Sequence, residues 1–439
     1  MELLNKVLDY SNIGKAYKQV VGNKGSKGVD GVTTDQLQDY MQENWSRIKQ
    51  EITTGHYQPQ AVLGVEIPKT SGGKRLLGIP TVIDRLIQQS IHQVLNPIFD
   101  VEFSEYSYGF RKGRSAHQAI LQSQRYINEG YQSIIDLDLK SFFDIVNQDY
   151  LMSLLYRKIK DKMLLKLIRR YLQSEIMLGG LIQQREKGTP QGSPLSPLLS
   201  NIILNELDKE LERRGLRFVR YADDCSIFLK SKRSARRVKR SITKFIETKL
   251  HLKVNEQKTN ICRPINYFTL GYGFVPTYKK DEKGKYNLRV SPKSFKQMKQ
   301  KVKEITRKTL PLSFEERITK LKAFTRGWVN YYKYAHVSGK LKELDGWVRN
   351  RLRYCIWKHW KKPNKRMRSF IRLGISRGQA YAWSRSRMGG WAIAQSPMMR
   401  TTVTLERLKR KGYFSFSEQF QKSRRTVPIV TQLKISFVW

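Results

Sequence analysis

Two aspartates stand side by side where a β-hairpin has to turn. The stretch Arg217-Phe218-Val219-Arg220-Tyr221-Ala222-Asp223-Asp224-Cys225-Ser226-Ile227-Phe228-Leu229-Lys230 reads as two short apolar strands joined through these acids. Aspartate suits turn geometry, but neighbouring carboxylates held between apolar strands oppose each other's ionisation. A divalent cation with a preference for hard oxygen ligands, such as Mg²⁺, removes that conflict. A site of this kind calls for a further carboxylate from elsewhere in the chain. Ser133-Ile134-Ile135-Asp136-Leu137-Asp138-Leu139-Lys140-Ser141-Phe142-Phe143-Asp144-Ile145 offers one. Its apolar β-run carries alternate acids, so Asp136 and Asp138 share one face while Leu137 and Leu139 take the other.

The charge balance names the partner class. In 439 residues, 83 Lys+Arg face 37 Asp+Glu, a net charge of +46, while 39% hydrophobic residues suffice for folded cores. Such a chain holds two or three domains and binds nucleic acid or an anionic membrane. Membrane is the weaker reading, because no apolar run approaches the roughly 18 residues of a spanning helix and MELLNKVLDY lacks a signal-peptide pattern. Cys225, Cys262 and Cys355 are too far apart for a disulfide framework or a CxxC zinc site, which fits a reducing, intracellular setting. The charge is also uneven. Residues 281–439 carry 39 Lys+Arg against 9 Asp+Glu, and no acid occurs between Asp345 and Glu406.

Taken in order, residues 1–60 form a helical lead-in with a glycine-punctuated loop at Gly22–Val32. Val65–Lys69 and Lys74–Pro80 form a hairpin across Ser71-Gly72-Gly73, with Lys69 and Arg75 flanking the turn where they could hold a triphosphate. Asp84–Leu95 has apolar residues at helical spacing, which makes His92 structural. Ser107–Ser115 is a basic loop entering a helix at Ala116, and Arg111, Lys112 and Arg114 there suit a phosphate or template contact, the bland alternative being a solvated turn. Residues 150–178 read as a basic amphipathic helical stretch and 231–250 as a basic surface helix. Lys187–Pro197 is a tight Gly/Pro loop that exposes backbone around Gln191, and Leu252–Thr259 and Phe268–Phe274 are turn-and-strand elements. Hairpins and helices mix without a βαβ repeat, so the fold class is α+β. Past a polar stretch near 276–292, helices are expected at 293–309, 313–335 and 340–360. Their aromatics interleave with cations, an arrangement that serves a helix-bundle core for most rings and base stacking for some.

The strings GGKRLLGIPTVIDRLIQQ, SYGFRKGRSAHQA, DLDLKSFFD, GTPQGSPLSPLLSNI, YADD, LKVNEQKTNI and LGYGF, followed by RGWVNYYKYA and LDGWVRNRLR, resemble in content and order a group II intron-encoded reverse transcriptase and maturase. The resemblance implies a right-handed polymerase: an N-terminal extension of the fingers (1–60), fingers and palm (61–280), a mostly helical thumb/maturase domain (281–362) and a basic DNA- and RNA-binding segment (363–439). It implies Asp138, Asp223 and Asp224 as catalytic, metal-holding residues, with the Leu139 carbonyl assisting. Two Mg²⁺ ions are the expected cofactors, with Mn²⁺ as a substitute. Lys69, Arg75, Gln191, Leu139 and Phe143 would form the dNTP pocket, with Phe143 rejecting a 2′-hydroxyl. Arg111, Lys112, Arg114, Gly271 (primer grip), Arg326, Trp328, Tyr331, Tyr332, Arg349 and Arg353 would contact nucleic acid. Lys258 matches a recurring lysine of unassigned role.

The implied function is RNA-directed DNA synthesis during retrohoming together with maturase-assisted splicing, in the bacterial cytoplasm. The implied partners are group II intron RNA, an RNA template with a DNA primer, target DNA and dNTPs, with no membrane. No cysteine follows Cys355 and no histidine follows His359, so a C-terminal His/Cys nuclease site is not expected. Two other readings stand beside this one: an RNA-binding splicing factor without polymerase activity, and a reverse transcriptase of the retron or phage-defence type. The complete aspartate set argues against the first, and the GWVNYY segment with its basic extension argues against the second.

Overall fold

A computed structural model describes residues 2–68, 72–278 and 282–425. Among them the strands run β1 (Val62–Pro68), β2 (Lys74–Ile79), β3 (Ser133–Leu137), β4 (Ile176–Leu178), β5 (Leu181–Gln183), β6 (Arg217–Tyr221), β7 (Asp224–Leu229), β8 (Asn260–Cys262), β9 (Phe268–Thr269), β10 (Tyr272–Pro276) and β11 (Tyr286–Val290). The chain divides between Tyr267 and Phe268 into two units. No helix among the described residues is long and apolar enough to cross a membrane.

The first unit is α+β. Its central sheet has the order β6-β7-β3-β8, and a second sheet has the order β2-β1-β4-β5. In the central sheet Leu137 pairs with Cys225 and Asp136 with Ser226, while Tyr221 pairs with Asp224 across the hairpin. Alternation along these strands puts Ile135, Leu137, Cys225, Ile227 and Phe218 on one face. That face is buried beneath helices Ser196–Arg213 and Lys232–Lys249 in the main core. The helices start where side chains can cap them. Thr81, Ser115 and Ser231 accept from the first-turn amides of their helices, and Ser115 completes a capping box with Gln118.

The expected hairpin at residues 65–80 is the β1–β2 pair; Lys69 and the turn residues Thr70 and Ser71 lie outside the described residues. The basic stretch at 150–178 is two helices, Gln148–Lys158 and Lys162–Gln173, followed by β4. Gly179 and Gly180, both at positive φ, turn β4 into β5.

The second unit is mostly helical, with a three-stranded sheet β11-β10-β9. Helices Pro292–Ile305, Phe314–Tyr331 and Ser338–His359 lie close to their expected positions. Six shorter helices follow, ending at Phe416–Arg425. Asp345 on the long helix fastens that last helix. Its buried carboxylate accepts from the hydroxyls of Tyr413, Ser415 and Ser417 and from the backbone amides of Phe416 and Ser417.

Candidate active site

The turn of the β6–β7 hairpin is Ala222-Asp223, and Ala222 sits in the left-handed region at φ 57°. A residue with a Cβ is costly there, by about 1–3 kcal/mol, and persists only when its surroundings impose it. The imposition is visible. Tyr108 donates its backbone N–H to the Arg220 carbonyl, and Arg220 returns one to Tyr106, so Ser104–Gly109 lies along the outer edge of β6. A Cβ on Gly109 would stand 2.1 Å from the Ala222 nitrogen, so only glycine lets this segment close on the turn.

Beneath the turn, Arg220 points into the core and is fully buried. Its Nε and Nη2 bond Asp208 at 2.8 and 2.5 Å, while Nη1 bonds Asn201 Oδ1 at 2.9 Å and the Ala222 carbonyl at 3.0 Å. Asn201 in turn donates to the Gly109 carbonyl. The sequence reading missed this group. An arginine in register with inward-facing Phe218 signals a buried partner, but nothing local says that Asp208, twelve residues earlier on helix Ser196–Arg213, is that partner.

On the opposite face of the sheet the acids collect. One step beyond the Leu137–Cys225 pair, the register sets Asp138 across from Asp224, with Asp136 two residues back and Asp223 in the turn. Burial first, then Asp138, pushes the Asp136 carboxyl up to about 6. Asp224, at the open rim of the same face, is also pushed up to about 6, first by its removal from bulk water and then by Asp223, Asp136 and Asp138. The Lys258 ammonium, 3.8 Å from an Asp138 oxygen, is the cation paired with this cluster. Both partners are largely solvent-accessible, so the pair is weak.

The backbone beyond Asp138 is pinned. Asn255 N–H donates to the Asp138 carbonyl, Lys140 N–H donates to Lys253, and the Thr259 hydroxyl accepts from the Asp138 N–H. Successive carbonyls of an extended strand point to alternate edges. With Asp138 bonded toward Asn255, the Leu139 carbonyl faces the β7 side, where the acids are. The donor set of clustered carboxylates and one carbonyl suits a hard divalent cation, and a cation there would offset both the burial and the mutual repulsion that raise Asp136 and Asp224. Among the described residues no group of three acids, histidines or cysteines, this cluster included, stands close enough together to hold a metal ion by itself.

Other expected pocket residues converge through one loop. Ser141 turns the chain at φ 47°, dropping Phe142 into the core and leaving Phe143 half-buried above it. The Thr189 amide bonds the Phe143 carbonyl at 2.7 Å, and the Gly78 amide bonds the Gln191 carbonyl at 2.6 Å. The Gly188–Ser193 loop thus joins Phe143 to β2, which carries exposed Arg75 opposite Ile67.

Several expected nucleic-acid contacts are committed elsewhere. Arg111 has a side chain only 6% exposed, held by Asp100 and by the carbonyls of Ser104 and Ser107. Arg353 is buried and donates to the Val403 carbonyl. Trp328 and Tyr332 stack at 4.7 Å inside the second unit's aromatic core. A buried ring has no face to offer a base, and a buried guanidinium has no phosphate to reach, so these four hold structure. Gly271 sits at φ 79°, where a Cβ would stand 2.5 Å from Tyr332 Oη and 3.0 Å from Ser294 Oγ, and Tyr331 Oη donates to the Leu270 carbonyl. Lys112 and Arg326 are exposed, and Arg114, Tyr331 and Arg349 are partly so.

Comparison with known proteins adds an independent line. Residues 67–274 match the model of the reverse transcriptase (RNA-dependent DNA polymerase) family, and residues 295–373 match the group II intron maturase-specific domain. Protein YkfC of Escherichia coli is 30% identical over 299 residues, covering 59% of this chain and 78% of that protein. The group II intron-encoded protein LtrA of Lactococcus lactis subsp. cremoris is 30% identical over 311 residues, or 56% of this chain and 52% of that protein. A putative COX1/OXI3 intron 2 protein of Saccharomyces cerevisiae is 34% identical over 208 residues, 45% of this chain and 23% of that protein. The chain thus spans most of the first relative and about half or less of the other two.

Proposed function

Because this chain belongs to the group II intron-encoded reverse transcriptases and maturases, we propose that its acidic hairpin is the polymerisation centre of an RNA-directed DNA polymerase that also binds its parent intron RNA. The observation that carries this reading is the acidic face itself. Asp136, Asp138, Asp223 and Asp224 share one face of the sheet, where among the described residues the weakly held Lys258 ammonium is the paired cation. A pure RNA binder gains nothing from carboxylates aimed at a polyanion.

Asp138, Asp223, Asp224 and the Leu139 carbonyl would hold the cations. A pair of Mg²⁺ ions, or Mn²⁺ in their place, supplies activation of the primer 3′-oxygen and charge neutralisation at the leaving pyrophosphate. The chain's own part is positional. The αL turn and its Arg220 support fix Asp223 and Asp224, and the Asn255 and Thr259 contacts fix Asp138. Arg75, with Lys69, would steady the triphosphate. Phe143 would lie under the sugar, and Gln191 would present its loop to the nucleotide. Residues 1–60 would extend the fingers, 61–280 form fingers and palm, 281–362 the thumb and maturase domain, and 363–439 a DNA- and RNA-binding segment. Lys112, Arg114, Arg326, Tyr331 and Arg349 remain candidates for backbone contacts.

The test is extension of a DNA primer on an RNA template, run beside binding of a group II intron transcript and an unrelated RNA at raised salt. The reading expects dNTP incorporation and salt-resistant preference for the intron. Intron binding with no incorporation would leave a splicing factor without polymerase activity. Incorporation without intron preference would point to a retron-type enzyme.

A further inference from the structure

The helix Lys232–Lys249, on the reverse side of the central sheet from the acids, carries eight lysines and arginines and one acid, Glu247. Its apolar stripe, Ala235, Val238, Ile242 and Ile246, is buried in the same core as Ile135, Leu137 and Ile227. The opposite face presents Lys232, Arg233, Arg236, Arg237, Arg240 and Lys244, all exposed. Among the described residues none of these six pairs with a carboxylate; Lys239, by contrast, is spent on the Thr259 carbonyl.

Like charges four residues apart on a helix destabilise it. This helix contains four such pairs: 232–236, 233–237, 236–240 and 240–244. Burial of the apolar stripe holds the helix in place, and the outward face is left as a field of unneutralised positive charge open to an anionic partner. An anionic membrane is the poorer fit, because with its apolar stripe buried in the core the helix cannot insert and would hold a bilayer by charge alone. The better fit is a polyanion recognised by charge.

We propose that the outward face of Lys232–Lys249 is a second nucleic-acid surface, which holds the phosphate backbone of folded RNA while the acidic face is occupied by primer and template. From Arg233 to Lys244 the helix spans about 16 Å, and a duplex of that length presents roughly ten phosphates. The inference rests on the reading of this chain as an intron-binding polymerase, and it assigns part of the RNA to a face that the catalytic acids do not share.

The test uses the full chain with Arg233→Gln, Arg237→Gln, Arg240→Gln and Lys244→Gln combined. A charge-matched control combines Lys15→Gln, Lys18→Gln, Lys49→Gln and Lys166→Gln, all exposed cations of the same unit. Affinity for a group II intron transcript is measured across a salt series, with the thermal midpoint as the check on folding. The helix variant should bind at least ~10-fold more weakly than the control, with its slope of log affinity against log salt reduced by roughly two to four. Its midpoint should equal or exceed that of the wild type, because repulsion has been removed. Equal losses in helix variant and control, or none in either, would overturn the proposal. A wild type that neither extends a primer nor binds the transcript would instead sink the polymerase reading beneath it.

Discussion

One hairpin carries two opposite solutions to the problem of charge. On its inner face Arg220 is fully buried, yet Asp208, Asn201 and the Ala222 carbonyl engage its guanidinium. On its outer face Asp136, Asp138, Asp223 and Asp224 crowd together, and two of them are pushed up to about 6, first by burial and then by the neighbouring carboxylates. The same chain fully satisfies other buried acids. Asp84 receives Tyr57, Tyr171, Thr81 and the Gln60 amide, and Asp345 receives five donors. The shortage of hydrogen-bond donors on the acidic face is therefore local, and under the proposed reading it marks where a ligand would supply what the protein withholds.

The contrast can be broken most forcefully on the outer face. Asp138→Ala or Asp224→Ala should abolish nucleotide incorporation, a loss on the order of several kcal/mol of transition-state stabilisation, without lowering the thermal midpoint. On the inner face the result should invert. Arg220→Gln leaves Asp208 buried without its cation and should cost about 3–5 kcal/mol of stability, measured as a shift of the urea midpoint. Phe143→Ala should leave folding largely intact and raise incorporation of ribonucleotides relative to deoxyribonucleotides by roughly 10-fold or more, read by competition on one template.

The pH dependence sharpens the same contrast. Asp136 and Asp224 have folded-state values near 6 against an ordinary 3.8. Between those values the folded state holds more protons than the unfolded one, so the cluster's contribution to stability falls as pH rises through that window. Asp136→Asn should raise the melting midpoint of the metal-free protein at pH 8, and the gain should shrink at pH 5. The smallest effect is expected at Lys258. Its exposed pair with Asp138 contributes less than about 1 kcal/mol, so Lys258→Ala should barely move the melting curve.

Much of this arrangement was legible in the sequence, because its signals are local. Alternation placed Asp136 and Asp138 on one face, turn chemistry placed Asp223 and Asp224, and helical periodicity placed the three long helices of the second unit. What escaped depends on partners far apart in sequence. Arg220 is recognisable as an inward charge, but Asp208 completes it from twelve residues away on a different element. Arg111 reads as a phosphate contact until Asp100 and two carbonyls take it up. Residues 363–425 read only as a basic stretch, because the feature that folds their last helix back is Asp345. Trp328 and Tyr332 carry the same letters whether they stack on a base or on each other.

The most direct test of the account is single-turnover addition of one dNTP to a DNA primer on an RNA template. Mg²⁺ is first omitted and then titrated back, for the wild type and for Asp223→Asn, with RNA affinity measured on the same preparations. The account predicts incorporation by the wild type only when the cation is present, and none by the variant, while both bind the RNA equally well. Incorporation by Asp223→Asn at the wild-type rate, with the same dependence on Mg²⁺, would contradict it.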